Sequence, residues 1–381
     1  MPLSRRRFVG MAGAASAITS LPLRAEILRF LEPMPTPTVD LPVRLDSNEN
    51  PYGPSVKVLE AMHNALGTAN RYPRPEYRGL AEHIGAMHKV PAEQVLVGCG
   101  SSEILRVAAS ALLRPGTRFV QAAPTFETAE HYAKLAGAEV ISVPLDHSYA
   151  HDLENMLAAI DAATPLVYLC NPNNPTASIT PRPALEAFIA KLPATTTVVI
   201  DEAYHHFATD SVGYASFLDH PIGDDRIIVA RTFSKVYALA GMRLGYGIAK
   251  PSLIAKLRPH ITPVNINAVV VRAAGVALED TESVQDYLTK NANNRREFLS
   301  EAARRGLKPI NSSTNFVMTD VHRPAKQLIE YFRSNDVWIG REFPPLETYI
   351  RVSIGKAEEM KEFWRVYDLE GAKVNQSAGS W

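Results

Sequence analysis

From residue 55 onward, short apolar runs alternate with amphipathic stretches. The runs at 94–98, 118–121, 139–143, 166–169, 197–200, 226–230 and 244–248 are mostly unbroken stretches of apolar or β-branched residues. Strands covered on both faces read this way, because neither face needs a polar alternate residue. Between several of them lie amphipathic segments, as at 102–113 and 183–190, which predict helices. The alternation predicts an α/β unit over 56–265, built on a mainly parallel seven-stranded sheet.

The pattern changes after Pro263. Helical spacing at 268–279 and 284–305 leads to a smaller α/β unit ending near 370. It carries strand candidates at 315–319, 337–339 and 350–354, and helix candidates at 324–333 and 356–367. Residues 26–55 are proline-rich, as in Met34-Pro35-Thr36-Pro37-Thr38, and read as an irregular arm. Residues 371–381 read as a disordered tail.

With 381 residues, 46% of them hydrophobic, the chain can bury cores for two domains. Forty basic and forty acidic residues cancel, so the charge balance points to neither a nucleic-acid partner nor a membrane surface. No run reaches the ~18–20 apolar residues of a membrane span. Cys99 and Cys170 both follow strand candidates and read as two buried free thiols rather than a disulfide. The N-terminus stands apart. Ser4-Arg5-Arg6-Arg7-Phe8-Val9 precedes a weakly apolar stretch, 10–23, that contains Ala15-Ser16-Ala17. This is the layout of a twin-arginine export signal over 1–25, with Leu23-Arg24-Ala25 as a second possible junction. It implies a transient encounter with the twin-arginine translocon and a periplasmic or otherwise exported product. The alternative is a basic arm on a cytoplasmic protein.

Candidate chemistry clusters after the predicted strands, where ligands bind in open α/β sheets. Arg231-Thr232-Phe233-Ser234-Lys235 follows one strand, with Arg243 eight positions beyond Lys235. A lysine of lowered pKa forms a Schiff base with an aldehyde cofactor, and hydroxyls with an arginine suit a phosphate. Together they read as an anchor for pyridoxal 5′-phosphate. Gly98-Cys99-Gly100-Ser101-Ser102 opens a helix whose free N–H groups would complete a phosphate cup. Asn171-Pro172-Asn173-Asn174-Pro175 holds the Asn174 amide on a proline-locked loop. Asp201 ends a buried strand, where a carboxylate needs a cation, and a protonated pyridine nitrogen would be that partner. Tyr204 lies within reach of the ring oxygen, and Phe126 could stack on the ring. His205-His206 has no ligand set at metal spacing, so no metal is expected.

These residues resemble the fold-type I pyridoxal-phosphate transferases, in the class I/II aminotransferase branch that includes histidinol-phosphate aminotransferase. The likeness runs from about Arg44 to Val366. It is carried by Asn48-Glu49-Asn50-Pro51-Tyr52-Gly53, Asn70-Arg71-Tyr72-Pro73, Asn171 to Thr176, Asp201 to Tyr204, Ser234-Lys235 and Ile350-Arg351-Val352. The resemblance implies that Lys235 is the Schiff-base lysine and proton shuttle and that Asp201 partners the pyridine nitrogen. Asn174 and Tyr204 would bond the ring oxygen, while Ser101, Ser102, Thr232, Ser234 and Arg243 would hold the phosphate. Tyr72 would reach the phosphate of a neighbouring subunit, which implies a homodimer with shared active sites. Arg351 would grip the substrate carboxylate, with Asn174, Asn50 and Arg341 as further substrate contacts.

Three places depart from the family pattern. Pro175-Thr176 is followed by Ala177 where the family usually has glycine. Ser101-Ser102 stands where many relatives have Ala-Asp or Ser-Asp, and the surroundings of Arg341 differ. The expected activity is transfer of an amino group between an amino acid, or an amino-alcohol phosphate, and a 2-oxo acid. The alternatives are a pyridoxal-phosphate decarboxylase, lyase or oxidase, and a non-catalytic pyridoxal-phosphate-binding regulator.

Overall fold

The computed structural model describes residues 42–378. The export signal expected over 1–25 and most of the expected arm fall outside the described residues. From Val43 onward the chain clusters as one compact unit, and its described residues form three sheets, of seven, three and two strands.

All seven runs expected to build the large sheet are strands. They are β2 (Val95–Gly98), β3 (Arg118–Ala123), β4 (Glu139–Pro144), β5 (Leu166–Cys170), β6 (Thr197–Asp201), β7 (Ile227–Thr232) and β8 (Gly245–Ile248). Their order is β2-β8-β7-β6-β5-β3-β4. Only β8 runs against its neighbours, so the other six strands end at one edge of the sheet. Both faces are covered. Val167 and Leu169 enter one core with Val198 and Ile200, while Leu166, Tyr168 and Cys170 enter the opposite core with Val199 and Ala230. That double burial is why the strands read as unbroken apolar runs.

The small unit follows the expected elements with one change of partner. β10 (Phe316–Asp320) pairs antiparallel with β12 (Tyr349–Ser353) and with a short β9 (Lys308–Pro309). The strand expected at 337–339, β11 (Val337–Ile339), instead lies parallel to β1 (Val43–Leu45). Residues read as irregular arm thus supply a strand, with Leu45 buried in the small unit's core. The alternation over three residues is too short to register as a pattern. The last helix, Ala357–Ala378, runs through most of the segment expected to be a tail. Among the described residues no helix is long and apolar enough to cross a membrane.

Candidate active site

The carboxyl ends of β2, β5, β6 and β7 converge on a cavity of about 340 Å³. Ser101, Ser102, Phe126, Asn174, Asp201, Tyr204, Thr232, Ser234, Lys235, Arg243 and Arg351 all line it, together with the 46–49 segment and Cys170. Eleven residues expected at the site therefore meet in one place.

The phosphate-type cup is built by close backbone approach. Gly100 opens the helix Ser101–Leu112 at φ 79°, a conformation that favours glycine. A Cβ there would collide with the Arg243 guanidinium, and one on Gly245 would collide with the backbone at Gly100 and Ser101. Thr232 Oγ1 accepts from the Ser234 amide at 3.1 Å and donates to Ser234 Oγ at 3.0 Å. Arg243, itself at φ 58°, donates from Nη1 to the Ala240 carbonyl at 2.9 Å and lies 3.4 Å from Ser234 Oγ. Helix N–H groups, two hydroxyls and a guanidinium thus face one corner, the donor set an oxyanion needs.

Side chains fix the asparagine loop as firmly as its prolines do. Asn171 exchanges hydrogen bonds with the backbone of Thr180 at 3.1 and 2.9 Å. Asn173 donates to Thr176 Oγ1 at 2.8 Å and accepts from Thr125 Oγ1 at 2.7 Å. The loop that presents Asn174 is therefore tied to the loop that presents Phe126. Ala177, in place of the family's usual glycine, keeps a left-handed φ of 62° while fully buried.

At the opposite corner Asp201 is 2% exposed. Its Oδ2 accepts from the Tyr168 hydroxyl at 3.0 Å and its Oδ1 from the Ala203 amide at 3.1 Å. Burial pushes this carboxyl up to about 6, against the pull of those hydrogen bonds and of Lys235. The Lys235 amine donates to the Ser47 carbonyl at 3.2 Å. Its side chain is partly accessible through the cavity, but desolvation there, reinforced by the Arg351 charge, pushes it down to about 8. The Tyr204 hydroxyl accepts from Asn48 Nδ2 at 2.9 Å, and its ring packs edge-on against Phe316. Arg351 donates to Asn174 Oδ1 at 2.7 Å and to the Asp46 carbonyl at 2.5 Å. Its Nε is buried without a hydrogen-bond partner.

Three expected site residues lie outside the cavity lining. Asn50 donates to the Val236 carbonyl at 3.1 Å, so it braces the loop that follows Lys235. Tyr72 is 76% exposed, which suits a group reaching into another subunit but adds nothing to its own cavity. Arg341 pairs with Glu127, both more than half exposed. The adjacent histidines are used structurally: His205 bonds the Tyr214 hydroxyl at 3.1 Å and His206 the Tyr237 hydroxyl at 3.2 Å. Cys99 and Cys170 are both free.

Sequence reasoning missed Tyr168, Glu127 and the buried pair of Glu202 with Arg231 (2.8 Å). Tyr168 had a signal, since it lies two residues before Cys170 on the same strand face, in the register that faces Asp201.

Comparison with known proteins agrees with this geometry. The sequence pattern of the family described as aminotransferase class I and II matches residues 42–366. The histidinol-phosphate aminotransferase of Bacillus subtilis is 36% identical over 326 residues, covering 85% of this chain and 90% of that protein. That of Symbiobacterium thermophilum is 35% identical over 324 residues, covering 84% and 88%. The crystal structure of the Sinorhizobium meliloti histidinol-phosphate aminotransferase in complex with pyridoxal 5′-phosphate superposes with a TM-score of 0.79 at 30% identity, covering 84% of this chain and 88% of that one. With the family pattern spanning nearly all described residues, the chain belongs to the class I and II aminotransferases.

Proposed function

We propose that this aminotransferase uses pyridoxal 5′-phosphate to move an amino group between an amino acid, or an amino-alcohol phosphate, and a 2-oxo acid. One observation carries the reading: the Lys235 amine, the Asp201 carboxylate and the Arg351 guanidinium line the same cavity, with an oxyanion cup at its corner. The residues fit the cofactor. Gly100 and Gly245 leave the backbone bare where a Cβ would fill the cup, and Asp201 is a buried carboxylate facing a cavity with room for a cation.

When bound, the cofactor supplies an electron sink for the carbanion formed by loss of the substrate's α-proton. The protein supplies orientation and charge. Thr232, Ser234, Arg243 and the N–H groups at Ser101 and Ser102 would hold the phosphate. Asp201 would partner the pyridine nitrogen, and Asn174 and Tyr204 would bond the ring oxygen. Phe126 would cover the ring. Lys235 would anchor the cofactor and, when its amine is free, serve as the base for the α-proton; desolvation holds that amine down at about 8, so a useful fraction is neutral near that pH. Arg351 lines the cavity and would receive the substrate carboxylate through its guanidinium.

The names of the relatives support histidinol phosphate as one amino donor to test. The exposed Tyr72 supports a homodimer in which this side chain completes the partner's phosphate cup. The paired arginines near the N-terminus support export through the twin-arginine translocon. Purified protein is expected to show a visible cofactor absorption band that Lys235→Ala abolishes. It is also expected to form an oxo product when amino acids and phosphorylated amines are screened with 2-oxoglutarate. A protein with no such band, or a band that persists in K235A, refutes the reading. Export is tested by Arg5→Lys with Arg6→Lys, which should retain the product in the cytoplasm; undiminished export refutes it.

A further inference from the structure

We propose that a directed chain of hydrogen bonds, running from Ser353 through Asn48, fixes the Tyr204 hydroxyl as a donor into the cavity. Asn48 is then a positioning residue for the bond to the ring oxygen of the cofactor. The inference rests on the aminotransferase reading, in which Tyr204 bonds that oxygen.

Asn48 is 1% exposed and belongs to the 46–49 segment that lines the cavity. Its φ is 54°, a left-handed conformation that asparagine adopts more readily than most residues. The Asn48 backbone N–H donates to Ser353 Oγ at 2.8 Å, and Ser353 Oγ donates to Asn48 Oδ1 at 3.1 Å. Because the serine oxygen accepts from the backbone, its one proton is left for Oδ1. With Oδ1 held there, the side-chain nitrogen faces the other way and donates to the Tyr204 hydroxyl at 2.9 Å. An amide nitrogen cannot accept, so the phenolic oxygen is the acceptor in this bond. The phenolic proton is left for a different partner, and Tyr204 lines the cavity.

The ring is held as well as the hydroxyl. Phe316 packs edge-on against Tyr204 with ring centres 5.1 Å apart, and it stands in register with Ser353 on the neighbouring strand. Asn315, one residue earlier, donates to the Asn48 carbonyl at 3.0 Å. Arg351 lies two residues before Ser353 on β12, so one strand supplies both the cavity guanidinium and the start of the chain. Burial pushes the Tyr204 phenol up and keeps it protonated, while the Arg351 charge and the Asn48 bond pull it down. A donor on the phenolic oxygen strengthens the bond its own proton makes in turn. The charged or titratable neighbours of Tyr204 are Arg351, Asp201, Cys170 and Lys235, whose Nζ lies 5.6 Å from the ring centre.

The test is a pH titration of the visible cofactor band in the loaded protein. A donor on the ring oxygen stabilises negative charge there, and so lowers the pH at which the chromophore loses its proton. Asn48→Asp keeps the shape but puts an acceptor where the donor was, which turns the Tyr204 proton away from the cavity. The titration midpoint is expected to rise by about 1 pH unit, a tenfold gain in proton affinity. In a Tyr204→Phe background the same substitution should add little, because the group it acts through is gone. Ser353→Ala frees the amide to turn over and should raise the midpoint by a smaller amount; it also serves if N48D does not fold. A wild-type midpoint in either folded variant overturns the proposal. So does an N48D rise that is equally large in the Tyr204→Phe background, since the new charge would then act directly. A wild-type protein with no visible cofactor band instead removes the aminotransferase reading, and this role with it.

Discussion

The Tyr168 hydroxyl donates a 3.0 Å hydrogen bond to Oδ2 of Asp201, both groups being almost wholly buried. The bond joins neighbouring parallel strands. Cys170 stands in register with Asp201, and Tyr168 lies two positions back on the same face, so its long ring brings the hydroxyl up to the carboxylate. Removing it leaves a buried charged acceptor short of a donor, worth ~1.5–3 kcal/mol. Tyr168→Phe should therefore raise the Asp201 pKa further above its value of about 6 and lower kcat by roughly tenfold or more, with amino acid KM nearly unchanged. Carboxyl NMR titration of the cofactor-free protein, alongside steady-state kinetics, checks both.

Glu202, the residue after Asp201, forms a buried ion pair with Arg231 at 2.8 Å. It also accepts from Ser216 Oγ and from the Phe217 amide, both at 2.7 Å. Truncating one partner strands the other's charge, which costs about 3–5 kcal/mol. Glu202→Ala should lower the unfolding free energy from denaturant titration by that amount, while an Arg231→Met, Glu202→Leu double variant should lose much less. Equal losses in the single and double variants would contradict the account.

Acid sensitivity follows from buried histidines. Desolvation lowers His88 and His151 to about 4 and His206 to about 3. Each is depressed below its unfolded value near 6.5, so the unfolded chain binds more protons between about 4 and 6.5, and stability falls as pH drops through that window. Asp201, raised to about 6, acts in the opposite sense but is one group against three. The buried His151 alone contributes roughly 3 kcal/mol across the window. Urea midpoints measured from pH 7 to pH 4 should fall steeply, and His151→Gln should flatten part of that slope.

Cofactor capture should report the Lys235 amine. Only the neutral amine attacks an aldehyde, so the association rate of pyridoxal phosphate with cofactor-free protein should rise with pH and level off near 8, not near 10.5. Arg351 lowers this pKa, so Arg351→Gln should move the plateau upward. Stopped-flow absorbance resolves the two profiles.

Arg351 grips Asn174 Oδ1 with one nitrogen and the Asp46 carbonyl with another, which fixes the plane of its guanidinium at the cavity. A lysine cannot reproduce that fork. Arg351→Lys should raise amino acid KM by ~10-fold or more, with the visible cofactor spectrum retained. Loss of the spectrum instead would show that Arg351 mainly holds the cofactor.

Much of the fold and site was legible in the sequence because local rules dominate there. Strands β2, β5, β6, β7 and β8 are buried on both faces and declare themselves as largely apolar runs, whereas the edge strand β4 is mostly exposed. Lys235, Asp201 and Asn174 stand just after or at the end of such runs, where the topology of an open sheet delivers them to one edge. Other features had no local signature. Val43–Leu45 is a strand only because Val337–Ile339 lies beside it. The bond from the Asn50 amide to the Val236 carbonyl, across 186 positions, likewise has no local signature.

The sequence by itself determined the α/β class, which follows from periodicity, and an anchor for a phosphate-bearing aldehyde cofactor, which follows from residue types at strand ends; Arg351 came only from the resemblance to a known family. Tertiary structure alone decided which of the expected side chains face the cavity and what holds them there. The Tyr168 bond to Asp201, the Arg351 bond to Asn174 and the Glu127 pair with Arg341 each join residues 33 to 214 positions apart. Such contacts depend on packing and strand register across the whole sheet, and no local pattern of the chain encodes them.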